Sequence, residues 1–183
     1  NDDFSKLANY FIELALESSS DSLEDFLKLN YQDSGLSISE KITEQSGVIG
    51  EKIEISFFDK IASEKVVAYN HPGNQIASLV GLTKDAEDTG KQVAMQVAAM
   101  NPIALDQYSV SQDVIDREIE VGKELAIQEG KPLEMAEKIA KGRLNKFFKE
   151  TTLVNQAFIR DSKKSVGQFL KESDPDLMVT SFK

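Results

Sequence analysis

The chain has 183 residues, 40% of them hydrophobic, with 21 Lys and Arg against 31 Asp and Glu for a formal charge of −10. That length fits one domain or two small ones with a real hydrophobic core, and the acidic balance argues against a nucleic-acid partner, because neutralising phosphates takes clustered Lys and Arg. With no Cys and one His, the composition excludes disulfides, thiol nucleophiles and Cys/His zinc sites, and it leaves a single imidazole for acid–base work.

Apolar residues at Phe4, Leu7, Ala8, Phe11, Ile12, Ala15 and Leu16 recur at the spacing of an amphipathic helix, which Ser18-Ser19-Ser20 ends. Asp21 or Ser22 caps a short helix carrying Leu23, Phe26, Leu27 and Leu29, and a loop from Asn30 to Gly35 follows. Ser37-Ile38-Ser39-Glu40 has the Ser-x-x-Glu form of a capping box, opening a helix that runs towards Val48 and Ile49 and closes at Gly50. From Ile53 the period becomes two, with Ile53, Ile55 and Phe57 alternating with polar residues, which predicts a strand of about nine residues over Ile53 to Ile61.

Val66 to Tyr69 and Ile76 to Leu82 read as two strands around the turn Asn70-His71-Pro72-Gly73-Asn74. Ala86 to Met100 returns to helical spacing through Val93, Ala94, Val97 and Ala98, and Asn101-Pro102 stops it. Ser111 then caps a helix striped with Ile115, Ile119, Gly122 and Ala126, which Gly130-Lys131-Pro132 interrupts. The return helix carries Leu133, Ala136, Ala140, Leu144 and Phe147, so the stripes can face each other in an antiparallel hairpin with arms roughly 28 Å long. Its small residues let the two backbones come close. A β-like piece from Leu153 to Ile159, a helix from Ser165 to Glu172 and a strand from Leu177 complete the chain.

Chemistry-bearing motifs are few. No phosphate-binding loop occurs, and the acidic runs at Asp21 to Asp25 and Asp174 to Asp176 lack the spaced ligands and central glycine of a calcium loop. No metal, cofactor or catalytic constellation is therefore expected. His71 has no nucleophile-elbow sequence to join and reads either as a structural loop residue or as a turn residue that touches a partner. The charged hairpin is open in the same way, as a solvated element or a protrusion that meets another protein. No apolar run approaches the ~20 residues that cross a bilayer, so no membrane span is expected. The opening NDDFSKLANYFIELAL is no signal peptide, the chain beginning at Asn1 reads as a piece cut from a longer protein, and a cytoplasmic setting is expected.

Taken in order, Ile49-Gly50-Glu51-Lys52-Ile53, Tyr69-Asn70-His71, Val97-Ala98-Ala99-Met100-Asn101-Pro102 and Glu129-Gly130-Lys131-Pro132 resemble the elongation factor Ts family. Lys141-Gly142-Arg143-Leu144-Asn145-Lys146-Phe147-Phe148, Asn155-Gln156-Ala157-Phe158-Ile159 and Lys164-Ser165-Val166-Gly167-Gln168-Phe169-Leu170 are similar to it as well. The resemblance runs over nearly the whole chain and is weakest from Ser18 to Gln45.

The resemblance implies an α+β fold of two small subdomains, each a three-stranded antiparallel sheet with helices, plus a protruding antiparallel coiled-coil hairpin. On that basis residues 1–64 are an N-terminal core subdomain lacking its first two strands, and residues 65–183 a C-terminal one containing the hairpin at 111–150. It further implies a guanine-nucleotide exchange factor, with no bond chemistry of its own, that binds GDP-bound elongation factor Tu and disturbs its Mg²⁺ and phosphate site so that GDP leaves. The family's partner-binding positions fall on Ile49 and Gly50 after the helix, on His71 in the turn, and on the adjacent Phe158 and Ile159, which moves His71 towards a binding role. The family's Thr-Asp-Phe-Val wedge is absent, and Asp3-Phe4 does not replace it. Its N-terminal helical domain and C-terminal module are also unmatched, so the implied fragment keeps part of the binding surface without the wedge. The alternative reading is a structural dimerisation module without exchange activity, and a homodimer is compatible with both.

Overall fold

A computed structural model describes residues 2–183 and divides into two compact units, Asn1–Lys60 and Ile61–Lys183. Helices combine with small antiparallel sheets of two or three strands, so the fold class is α+β.

The first unit is built on helix α1 (Asp2–Glu17), the short α2 (Leu23–Leu27), a two-stranded ladder of β1 (Asn30–Tyr31) and β2 (Leu36–Ser37), and α3 (Ile38–Ile49). Ser22 caps α2 by accepting from the Asp25 amide. At α3 the predicted capping box forms in full: the Ser37 hydroxyl accepts from the Glu40 amide at 3.2 Å, and the Glu40 carboxylate accepts from the Ser37 amide at 2.7 Å. Two amides that a helix start leaves orphaned are thereby satisfied. Leu7, Phe11, Phe26, Ile38 and Ile42 form the core, with Phe11 meeting Phe26 edge to face. The stripe expected on α1 is only partly internal, since Phe4, Ile12 and Leu16 face solvent.

The strand predicted over Ile53 to Ile61 does not form. Residues 53–61 carry no ladder pairing. The segment is held instead by side chains: Ile53, Ile55 and Phe58 pack on the core, Phe58 stacks on Phe26 at 4.9 Å, and the Ile53 amide donates to the Ser46 hydroxyl. Alternation reports which side chains are buried, whereas a strand also needs a neighbour for its backbone groups. Phe57, expected inside, is 91% exposed, and Phe58 takes the inward place.

The second unit is organised around a sheet of β3 (Lys65–Asn70), β4 (Ala77–Leu82) and β7 (Val179–Phe182), in spatial order β3-β4-β7 with both pairings antiparallel. Helix α4 (Glu87–Met100) lies across β3 and β4 and buries Val93, Ala94 and Val97 against Val67, Val80 and Leu82. Helices α5 (Gln112–Gln128) and α6 (Leu133–Thr151) form the predicted hairpin. Ser111 precedes α5 as expected, but its side chain makes no capping hydrogen bond.

Within the hairpin, Gly122, Ala126, Ala136 and Ala140 are buried, and a Cβ at Gly122 would lie 3.1 Å from the Ala140 Cα. Glycine at that place lets the helix backbones approach. Leu133, predicted on the inner stripe, is 63% exposed.

The piece predicted as β-like from Leu153 to Ile159 resolves into a 3-10 turn (Leu153–Asn155) and the two-residue strand β5 (Ala157–Phe158), which pairs with β6 (Asp161–Ser165). Helix α7 (Val166–Ser173) starts on a second complete capping box, between Ser165 and Gln168. Leu153, Phe158, Val166, Leu170, Leu177 and Val179 close the core. No described helix is long and apolar enough to cross a membrane.

Candidate functional site

Ile49 and Gly50 end α3. Gly50 takes a left-handed backbone conformation (φ 80°), and its amide donates to the Ser46 carbonyl at 2.9 Å. A side chain there would be strained, so glycine is the natural residue for this helix stop. The turn exposes Gly50 and leaves Ile49 half-buried. Just beyond it Lys52 pairs with Glu54, which raises the lysine pKa and lowers that of the carboxylate, so these charges cancel locally.

His71 stands in the β3–β4 turn with its side chain exposed. Its amide donates to the Ile76 carbonyl and its carbonyl accepts from the Asn74 amide, both at 2.9 Å. Asn70 also donates to the Asn74 side chain at 2.8 Å, so the turn is braced across its mouth. The ring is fixed too: Nδ1 shares a hydrogen bond of 2.9 Å with the Tyr69 hydroxyl, and the rings meet edge to face at 5.9 Å. With Nδ1 engaged, Nε2 is the nitrogen available for an outside contact.

Phe158 and Ile159 are neighbours with opposite surroundings. Phe158 is 3% exposed and lies flat on Phe169, with ring centroids 4.2 Å apart and planes inclined by 11°. Ile159 is 42% exposed at the tip of the β5–β6 hairpin, where Phe158 pairs with Asp161 across a two-residue loop. The backbone of Ile159 is nevertheless anchored, since its amide donates to Oε1 of the buried Gln96 at 2.8 Å.

Helix α4 connects these places. Ser78, paired with Tyr69 across the β3–β4 ladder, donates from its hydroxyl to the Ala94 carbonyl at 2.7 Å, and Gln96 on the same helix holds Ile159. The His71 hairpin and the Ile159 hairpin are thus both tied to α4. Ile49 and Gly50 belong to the first unit.

Three supporting residues escaped the sequence reading: Tyr69, Gln96 and Phe169. Tyr69 lies two residues before His71 on a strand, so period two puts both side chains on one face. Gln96 stands three residues after Val93 on a helix whose buried face is otherwise apolar, and a polar side chain in that position signals a buried hydrogen-bonding duty.

A family described as Elongation factor TS matches residues 1–183. The chain is 51% identical to the elongation factor Ts of Christiangramia forsetii over 185 residues, covering all of this chain and 66% of that protein. Its counterpart in Flavobacterium psychrophilum is 46% identical over 186 residues, again with 100% of this chain and 66% of the relative covered. In Amoebophilus asiaticus the figures are 44% over 187 residues, with 100% and 67% covered. The chain thus spans about two thirds of the length of these curated relatives.

Proposed function

The chain belongs to the elongation factor Ts family of translation elongation factors, and from that premise we propose that it carries part of the surface by which such a factor engages GDP-bound elongation factor Tu and promotes GDP release. In this reading residues 1–64 and 65–183 are the two core subdomains, and the chain performs no bond chemistry of its own. The contacts are Ile49, Gly50, His71 and Ile159, while Phe158 acts by holding Ile159 from beneath.

The observation that carries the reading is the family match along residues 1–183. Geometry supports it: the exposed His71 ring and the backbone that carries the exposed Ile159 side chain are each fixed by hydrogen bonds of 2.8–2.9 Å before any partner arrives. Preordered contact groups lose less entropy on binding. Catalysis of release also demands preferential affinity for the state from which GDP departs, at about 1.4 kcal/mol per tenfold gain in rate.

His71→Ala should weaken affinity for nucleotide-free elongation factor Tu about tenfold, equivalent to roughly 1.4 kcal/mol. Unchanged binding by a folded variant removes His71 from the interface. Since the sequence contains no Thr-Asp-Phe-Val wedge, the chain alone should stimulate GDP release only weakly. Full stimulation by these residues would refute that part.

A second reading, a dimerisation module, draws on the groove between α5 and α6, where Val121 and Leu125 are exposed beside Phe147. Sedimentation of the chain with and without elongation factor Tu separates the two.

A further inference from the structure

Gln96 is fully buried, with a relative exposure of 0%, yet both ends of its amide are engaged in one small region. Nε2 donates to the Gln156 side-chain carbonyl at 3.1 Å and to the Ala157 backbone carbonyl at 3.1 Å. Oε1 accepts from the Ile159 amide at 2.8 Å. The amide orientation follows from chemistry, since two carbonyl oxygens face the donor end and one N–H faces the acceptor end. One side chain from α4 therefore grips the β5–β6 hairpin on both sides of Phe158.

The second glutamine locks the first. Gln156 is also 0% exposed, and its Nε2 donates to the Met100 carbonyl at 3.3 Å and the Glu150 carbonyl at 3.0 Å. The pair thus joins the end of α4, the end of α6 and the hairpin in one buried network. A fully satisfied buried network is stiff, because every alternative arrangement strands a donor or acceptor away from water. A core that needed only volume here would use Leu or Met. The two glutamines supply direction.

We infer that Gln96 is a positioning residue for partner binding: it sets the angle at which the tip of the β5–β6 hairpin presents Ile159. The inference rests on the reading that Ile159 contacts the partner. Phe158 supplies the apolar seat through its stack on Phe169, and Gln96 supplies the orientation. Without the amide, the Ile159 N–H and the Ala157 carbonyl are released to water, and the hairpin tip becomes free to turn about its seat.

The test uses Gln96→Met, which keeps length and apolar bulk while removing all three hydrogen bonds, together with Ile159→Ala and the double variant. Gln156→Met serves as the second variant should Gln96→Met fail to fold. Two quantities are read: hydrogen exchange at the Ile159 amide, and affinity for nucleotide-free elongation factor Tu. Exchange at Ile159 should accelerate at least tenfold beyond any change at core amides such as Val80 and Leu82. Affinity should fall about tenfold in Gln96→Met, and that loss should vanish in the Ile159→Ala background, because Gln96 acts through Ile159.

Unchanged protection at Ile159, or an affinity loss that persists undiminished in the double variant, overturns the inference. If Ile159→Ala alone binds as tightly as the parent, the reading of Ile159 as a contact fails and the proposed binding role of Gln96 fails with it. The exchange measurement then still decides whether Gln96 holds the tip.

Discussion

Phe158 and Ile159 are adjacent in sequence, and the structure separates what each should do. Phe158→Ala removes a ring that is 3% exposed and stacked at 4.2 Å on Phe169. Truncating a buried Phe costs about 3–5 kcal/mol, from lost transfer free energy and the cavity left behind. The second unit, Ile61–Lys183, has an unfolding entropy near 0.25 kcal/mol/K at ~2.1 cal/mol/K per residue, so its Tm should fall by roughly 12–20 °C. Ile159→Ala trims a side chain that is already 42% exposed, and should cost about 1 kcal/mol or less, roughly 4 °C or less. Thermal unfolding followed by far-UV circular dichroism measures both shifts, and binding to nucleotide-free elongation factor Tu is then compared well below either transition. The expected pattern is graded: Phe158→Ala loses far more stability than Ile159→Ala, and its folded fraction also loses some affinity because the seat under Ile159 is loosened, whereas Ile159→Ala keeps stability and loses the contact itself. A Tm drop of only a few degrees for Phe158→Ala would refute the packing argument. Equal destabilisation by both would show that the hairpin tip belongs to the core.

Two further predictions concern the scaffold. Gly122→Leu directs a side chain at the Ala140 backbone, where a Cβ alone would already lie 3.1 Å away, so α5 and α6 must separate at a cost of about 1–3 kcal/mol; amides on both helices near Gly122 should exchange roughly 5- to 150-fold faster, and unchanged exchange would mean that the hairpin absorbs the bulk. Lys84, whose Nζ lies 2.9 Å from the Asp174 carboxylate, together with the Asp176 amide holds the Asp174 pKa below the ordinary value. The contribution of Asp174 is therefore fully present above the ordinary aspartate pKa and is lost as pH falls through the lowered native one, whereas that of Lys84, whose pKa is raised, is lost only at strongly alkaline pH. Urea unfolding across an acid series should show a shallower acid limb for Asp174→Asn than for the parent, and superimposable limbs would contradict the linkage.

What could be read in the sequence was whatever depends on near neighbours along the chain. The capping box at Ser37–Glu40 was visible because one turn of backbone determines it, and the hairpin because the small residues Gly122, Ala126, Ala136 and Ala140 mark a close approach on their own helices. The segment from Ile53 to Ile61 shows the opposite case. Its alternation identifies Ile53 and Ile55 as inward-facing, but a strand is a relation between two stretches of backbone, and period two says nothing about whether the second stretch is there. The two-residue strand β5 and the polar β6, with its sequence Asp-Ser-Lys-Lys-Ser, fall below any periodic signal. At the candidate site the exposed His71 was legible as a lone imidazole in a turn. Its anchor Tyr69 and the glutamine beneath Ile159 were legible only as residue types, because their function lies in bonds to residues distant in sequence or in ring orientation.

The same distinction bears on how such a surface can work. A protein that acts by binding one state of a partner better than another gains selectivity from contact groups whose positions are fixed beforehand, since a tip that reorients can fit both states almost equally well. His71 and Ile159 stand on different hairpins, yet both hairpins are tied to α4, one through Ser78 and Ala94 and the other through Gln96. A change that tilts α4 against the sheet would displace both proposed contacts together. One that loosens a single hairpin would displace only its own. Core substitutions under α4, at Val93 or Val97, should therefore reduce the effect of His71→Ala and of Ile159→Ala on affinity at the same time, a coupling that two independently mounted contacts would not show.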